Sequence, residues 1–287
     1  MLVNLKEILE VANKNNFAVP AFNTSSNMIL SGILEASEEL QSPLIVAIHP
    51  DELHFVRPSF VKAVVEEAHN ASIPVCIHLD HGASFEQVIE AIQCGYTSVM
   101  IDASKETFEN NIKICKQVVE AAHAVNVSVE GELGTIGNTD SNETTPPDQI
   151  LYTDPEQAKQ FVAETKIDAL AVAIGTSHGI YPKDKKPELR IDILDLIKKA
   201  VDIPLVLHGG SSNKDTEIAK SVEHGVNKIN ISSDIKDPFY RKCREVLKDD
   251  AIREPNLIYP ACIEVLKDAA KDKIRLFHSD GKANLYR

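Results

Sequence analysis

Eight short runs rich in β-branched and apolar residues recur along the chain, each followed by a longer stretch with helical spacing. The runs cover residues 17–22, 43–48, 74–79, 97–101, 127–132, 168–174, 203–207 and 226–231. Between them, apolar residues fall at steps of three or four, as in Phe108, Ile112, Cys115, Val118 and Ala122, or Val56, Phe60, Val64 and Ala68. Helix starts carry capping chemistry, with Ser84 ahead of one stretch and Asp154 before Pro155 at another. Eight strand–helix alternations in 287 residues match the size of a (β/α)8 barrel, typically about 250 residues. A doubly wound open sheet is the rival, but no GxGxxG follows the first run. The expected class is α/β, a (β/α)8 TIM barrel with extra N-terminal and C-terminal helices, as one domain over residues 1–287.

The N-terminal helix is expected within residues 1–16, with Leu5, Ile8, Leu9 and Ala12 on one face. It has no apolar core segment or small-residue cleavage site, so it does not read as a signal peptide. A final helix is expected over 258–273 within a C-terminal extension, 255–287. Segment 134–150 (GTIGNTDSNETTPPDQI) is polar and rich in turn formers, and follows the fifth strand, as an active-site lid would.

Composition narrows the function. The 43% apolar content supports a large core, and no run approaches the roughly 18 apolar residues of a membrane span. Thirty basic against 43 acidic residues leave a net charge of −13, which disfavours a nucleic-acid partner. An anionic ligand must then be held locally. Cys76, Cys94, Cys115, Cys243 and Cys262 form no CxxC pair or disulfide framework, which fits a reducing cytoplasm.

Barrel enzymes place their chemistry at the C-terminal ends of the strands. Read in order, those positions hold Asn23, His49, Asp80 with His81, Asp102, Glu132, the loop of His178, His208 and Asn230. Among the ten histidines, His81, His178 and His208 each follow a strand and precede a glycine, which lets the backbone turn close to a ligand. Three imidazoles with a fourth position open match a catalytic zinc site. His69, His123 and His224 fall on helices and read as structural or solvated. His78 shares a strand face with Asp80, one layer deeper, and His49 reads as a loop histidine.

Asp80 adjoins a metal ligand and suits proton exchange with a bound substrate. Asp102 and Glu132 are placed to orient ligands or contact the metal, with a helix N-cap as the other reading of Asp102. HGGSS (208–212) and NISSD (230–234) read as leading into helices after the last two strands, the usual phosphate site of this fold. There Gly209 and Gly210 offer N–H groups, and Ser211, Ser232 and Ser233 add hydroxyls.

With these residues in view, the chain resembles the class II, metal-dependent ketose-bisphosphate aldolases. The likeness runs almost end to end, through PAFN (20–23), SPLI (42–45), HLDHG (78–82), SVMIDAS (98–104), VEGELG (129–134), AVAIGTSHGIY (171–181), PLVLHGGSS (204–212), KINIS (228–232) and KIRLFHSDGKA (273–283). The resemblance implies that Asp80 donates and accepts the proton at the C4 hydroxyl. It implies one zinc ion on His81, His178 and His208, with Asp102 and Glu132 as metal-proximal carboxylates and room for a monovalent cation. Gly179, Gly209, Gly210, Ser211, Asn230, Ile231, Ser232 and Ser233, with Asn23 near them, would hold dihydroxyacetone phosphate. The implied reaction is reversible cleavage of a phosphorylated ketose to dihydroxyacetone phosphate and an aldehyde, in a cytoplasmic homodimer or homotetramer. Cleaving a C–C bond beside a carbonyl leaves an enolate, which a metal stabilises as a Lewis acid. No Schiff-base lysine is then needed.

Two departures stand out. Relatives carry a glutamate in the mobile loop after ELG, where this chain reads GNTDSNET, leaving Asp140 or Glu143 for that role. Many also carry an arginine in a DPR motif that grips the distal phosphate, where this chain reads Glu254, Pro255, Asn256. Arg253 could compensate, or the substrate is a ketose 1-phosphate. The alternatives are a zinc hydrolase of amidohydrolase type, which needs an HxH pair that strand one lacks, and a non-catalytic aldolase subunit, which the retained Asp80 and histidines oppose.

Overall fold

A computed structural model describes residues 1–135, 137–138, 151–178 and 188–286, with no side-chain description for 137, 138, 177 and 178. The elements run α1 (Leu5–Asn15), β1 (Val19–Asn23), α2 (Asn27–Glu39), β2 (Leu44–Ile48), α3 (Pro50–Asn70), β3 (Val75–Gly82), α4 (Phe85–Cys94), β4 (Ser98–Ile101), α5 (Phe108–His123) and β5 (Ser128–Leu133). They continue with β6 (Gly137–Asn138), α6 (Pro155–Thr165), β7 (Ala169–Val172), β8 (Ser177–His178), α7 (Ile191–Ala200), β9 (Leu205–Leu207), α8 (Asp215–Glu223), β10 (Val226–Ile231), α9 (Ser233–Val246) and α10 (Pro255–Leu276).

Parallel strands close in the order β1-β10-β9-β7-β5-β4-β3-β2, each followed by a helix on the outside. This is the expected (β/α)8 barrel, with α1 and α10 as the added helices, and all eight expected strands are present. The short pair β6–β8 lies apart from the barrel, joining Gly137 to Ser177 and Asn138 to His178. Among the described residues, no helix is long and apolar enough to cross a membrane.

Two apolar layers build the molecule. Outside, the strand residues Val46, Ile77, Val99, Val129, Leu170 and Leu207 meet the helices in one large core. Inside, a smaller core fills one end of the barrel with Val19, Ala21, Ile45, Cys76, Ala169, Ala171 and Val206. Helix α1 plugs that end with the four residues its spacing marked, Leu5, Ile8, Leu9 and Ala12, all fully buried. Its start is fixed by a capping box in which Asn4 accepts from the Glu7 N–H and Glu7 accepts from the Asn4 N–H.

Three local expectations change. Helix α3 spans the 56–68 stretch but breaks at Arg57 (φ 67°, ψ 164°), because Pro58 lacks a donor and its ring collides with the preceding turn. The last helix is longer than 258–273, starting at Pro255, whose fixed φ suits a first helical turn. HGGSS does not lead directly into a helix: α8 begins only at Asp215. The residues between form a separate turn in which the Asn213 amide donates to the carbonyls of Gly209 and Ser211, at 2.6 and 3.2 Å. Most of segment 134–150 lies outside the described residues, but its base is pinned. Thr135 N–H donates to the Leu151 carbonyl at 2.9 Å, and Leu151 N–H donates to Thr135 Oγ1 at 2.9 Å.

Candidate metal and active site

Strand alternation carries each inner face from apolar to polar as it leaves the plugged end. On β3 the inward residues are Cys76, His78 and Asp80; on β5 they include Glu130 and Glu132; on β10, Lys228 and Asn230. His81 lies near the end of β3, where the register against β4 shifts between Leu79 and Gly82, and its φ of 53° is uncommon for a residue with a side chain. His208 follows β9 directly and is fully buried.

Asp80 sits at the centre. Its Oδ2 accepts from the Asn23 amide and its Oδ1 from the Asn230 amide, both at 2.8 Å. His81 Nε2 and His208 Nδ1 each lie 3.9 Å from Asp80 Oδ1. The two imidazole centroids are 4.5 Å apart. Burial would raise the Asp80 pKa, but His81, His208, Lys228 and His78 outweigh it and hold the carboxyl well below the usual range. Asp80 is therefore an anion facing two imidazoles, with both oxygens oriented by amides.

The far nitrogens of the imidazoles are also held. His81 Nδ1 lies 3.0 Å from Asp102 Oδ2, and His208 Nε2 lies 2.7 Å from Glu130 Oε1. Asp102 is not a helix N-cap, since Thr107 caps α5; its other oxygen accepts from the Ser104 N–H and hydroxyl at 3.1 and 2.7 Å. Burial opposes charge on His81, but Asp80, the Asp102 hydrogen bond and Glu132 raise its pKa to about 9. Burial, then the charge of His81, lowers that of His208.

These residues fit a divalent cation. Asp80, His81 and His208 offer ligand atoms within 4.8 Å of one another, as do His81, Asp102 and Glu132. Glu132 is 2% exposed, and its Oε2 has no hydrogen-bond partner among the described residues. Burial, then the nearby Asp102, pushes its pKa up to about 8, an environment that a cation would reverse. Mixed imidazole and carboxylate donors suit zinc and its neighbours in the first transition row. His178 has its backbone in β8, but its side chain, together with Gly179, Asp140 and Glu143, lies outside the described residues.

The segments that follow β9 and β10 meet. Gly210 N–H donates to the Asn230 carbonyl at 3.1 Å, joining the turn after β9 to β10. Ser211 Oγ accepts from the N–H groups of Ser232 and Asp234, at 3.1 and 3.4 Å. Gly210 has no room for a side chain, because a Cβ there would lie 2.5 Å from Ile229 Cγ2 and 2.8 Å from the Asn230 oxygen. Helix α9 begins at Ser233 with no side-chain cap, which leaves its first N–H groups to other acceptors.

Other histidines sort as expected, with one addition. His123 and His224 pair with Asp168 and Asp195, each at 2.7 Å. His49 caps α3, accepting from the Asp51 N–H, yet its ring centroid lies 6.4 Å from that of His81. Sequence reasoning missed Glu130 and Lys228, both fully buried. The available signal was a charge two residues before an inward strand-end residue, at Glu132 and Asn230.

Comparison with known proteins agrees with this geometry. The family described as "Fructose-bisphosphate aldolase class-II" matches residues 3–282. A fructose-bisphosphate aldolase from Thermus caldophilus is 38% identical over 305 aligned positions, covering 99% of this chain and all of the relative. The crystal structure of the YdjI aldolase from Escherichia coli K12 superposes with a TM-score of 0.86 at 33% identity, covering 99% of this chain and 100% of that one. A putative fructose-1,6-biphosphate aldolase from Coccidioides immitis gives a TM-score of 0.88 at 25% identity, covering 98% of each chain. Barrel, donor cluster and full-length likeness agree: the chain belongs to the class II fructose-bisphosphate aldolase family and is an aldehyde-lyase of that metal-dependent class.

Proposed function

We propose that this protein reversibly cleaves a phosphorylated ketose to dihydroxyacetone phosphate and an aldehyde, using one zinc ion held by His81, His178 and His208. The observation that carries this reading is Asp80, an anionic carboxylate fixed by Asn23 and Asn230 and facing the His81 and His208 imidazoles. A zinc ion there supplies a Lewis acid to the substrate carbonyl. Asp80 takes the proton of the hydroxyl on the carbon beyond the breaking bond, as that carbon becomes the aldehyde, and returns it in condensation. The Asn23 and Asn230 amides keep its oxygens aimed during both transfers. Gly209, Gly210, Ser211, Asn230, Ile231, Ser232 and Ser233, with Gly179, bind the phosphate of the triose half. Asp140 or Glu143 handles the proton on the triose carbon, and Asp102 and Glu132 support the cation.

Asn256 is exposed at the start of α10, and the family resemblance puts it where many members have an arginine for the distal phosphate. An amide cannot replace the bidentate charged contact of a guanidinium. The preferred substrate is then a ketose 1-phosphate. The protein works as a homo-oligomer in the cytoplasm.

The test compares kcat/KM for ketose 1-phosphates with that for fructose 1,6-bisphosphate, with and without chelator. Cleavage should stop with chelator, and borohydride with substrate should not trap the enzyme. Covalent trapping would indicate a lysine imine and end the zinc reading. A strong bisphosphate preference would end the reading of Asn256 alone.

A further inference from the structure

Beneath the site lies a charged pair to which the proposed reaction assigns no role. Glu130 on β5 and Lys228 on β10 have no solvent exposure. Strands β7 and β9 separate them in the sheet, so the pair bridges the barrel interior. Lys228 Nζ donates to Glu130 Oε2 at 2.7 Å and lies 3.3 Å from His78 Nε2. His78 is tied in turn, its Nδ1 2.8 Å from Ser98 Oγ. The other Glu130 oxygen, Oε1, lies 2.7 Å from His208 Nε2.

Packing does not explain such a pair. Apolar residues of similar volume often fill a buried site with equal or better stability, because two charges lose their hydration on burial. The bond to His208 does explain it. An ionised carboxylate only accepts, so Nε2 must carry the hydrogen of that contact. His208 Nδ1 then keeps its lone pair, and Nδ1 is the nitrogen on the Asp80 side of the ring.

We propose that Glu130, held by Lys228, is a positioning residue that fixes His208 as the Nε2–H tautomer and presents Nδ1 to the divalent cation. This rests on the zinc reading above. Lys228 acts at one remove: without its ammonium, Glu130 loses the partner that holds its second oxygen. Losing such support for a ligating histidine lowers metal affinity by about 10–100-fold.

Two measurements on the full chain test it. Long-range ¹H–¹⁵N spectra of the metal-free, ¹⁵N-histidine-labelled protein should show His208 protonated at Nε2 and bare at Nδ1. A proton on Nδ1, alone or with one on Nε2, overturns the proposal, and this readout requires no variant. Zinc affinity, measured by competition with a chromophoric chelator, should then fall by about 10–100-fold in Lys228→Met and Glu130→Gln. Unchanged affinity in folded variants also overturns it. If the unaltered protein binds no zinc, the zinc reading fails instead, while the tautomer is still read directly.

Discussion

The two ends of the barrel interior are built from the same strands and differ in every chemical respect. At the end plugged by α1, Val19, Ala21, Ile45, Cys76, Ala169, Ala171 and Val206 make a dry layer. Further toward the other end stand the buried His78, Glu130, His208 and Lys228, and at the rim Asp80, Glu132 and Asn230. Ionisable groups buried this deeply cost stability unless paired, and here nearly each has a partner at hydrogen-bonding distance. One end therefore stabilises the fold, while the other spends part of that stability holding charges in place.

That contrast can be broken from either side. The largest effect is expected from His81→Ala, which removes a cation-facing imidazole. Zinc content should collapse and cleavage fall on the order of 10³-fold or more, with circular dichroism still reporting a folded barrel. At the opposite end, Leu9→Ala should cost about 2–5 kcal/mol in denaturant unfolding, since Leu9 is fully buried in the plug. Its kcat/KM per folded molecule should stay near that of the unaltered protein. A catalytic loss matching the stability loss would mean the two ends are not separable.

Gly210→Ala should fall between these extremes. The added methyl meets the Asn230 backbone, so the loop after β9 must shift, at about 1–3 kcal/mol. Steady-state kinetics should show KM for the phosphorylated substrate rising more than kcat falls. The smallest effect belongs to Asn4→Ala, which removes the α1 cap at about 1 kcal/mol. Thermal unfolding should register it and kinetics should not.

Much of this arrangement was legible in the sequence, for reasons that show where the legibility stops. Strand period two and helical spacing of three to four mark which residues share a face, so the eight runs and the α1 face could be read directly. Glycine after a histidine marks a backbone that turns toward a ligand, which singled out His81 and His208. Period two places Glu130 and Lys228 on inward faces, but their pairing was not legible, because contact across a closed barrel depends on strand order and stagger that no local pattern carries. The break in α3 at Arg57 was signalled by Pro58, but the apolar spacing on either side hid it. The delay between HGGSS and α8 arises because Asn213 folds back on the loop, a tertiary detail that the motif does not encode.

The most direct test of the account separates holding the cation from moving the proton, and Asp80→Ala does so. Zinc per chain and the cleavage rate should be measured in parallel on the same preparation. Zinc is predicted to stay close to the unaltered level while cleavage drops by about 10²–10⁴-fold, the usual contribution of a positioned acid–base group. Zinc lost together with activity would make Asp80 a ligand, and activity retained would remove it from the chemistry altogether.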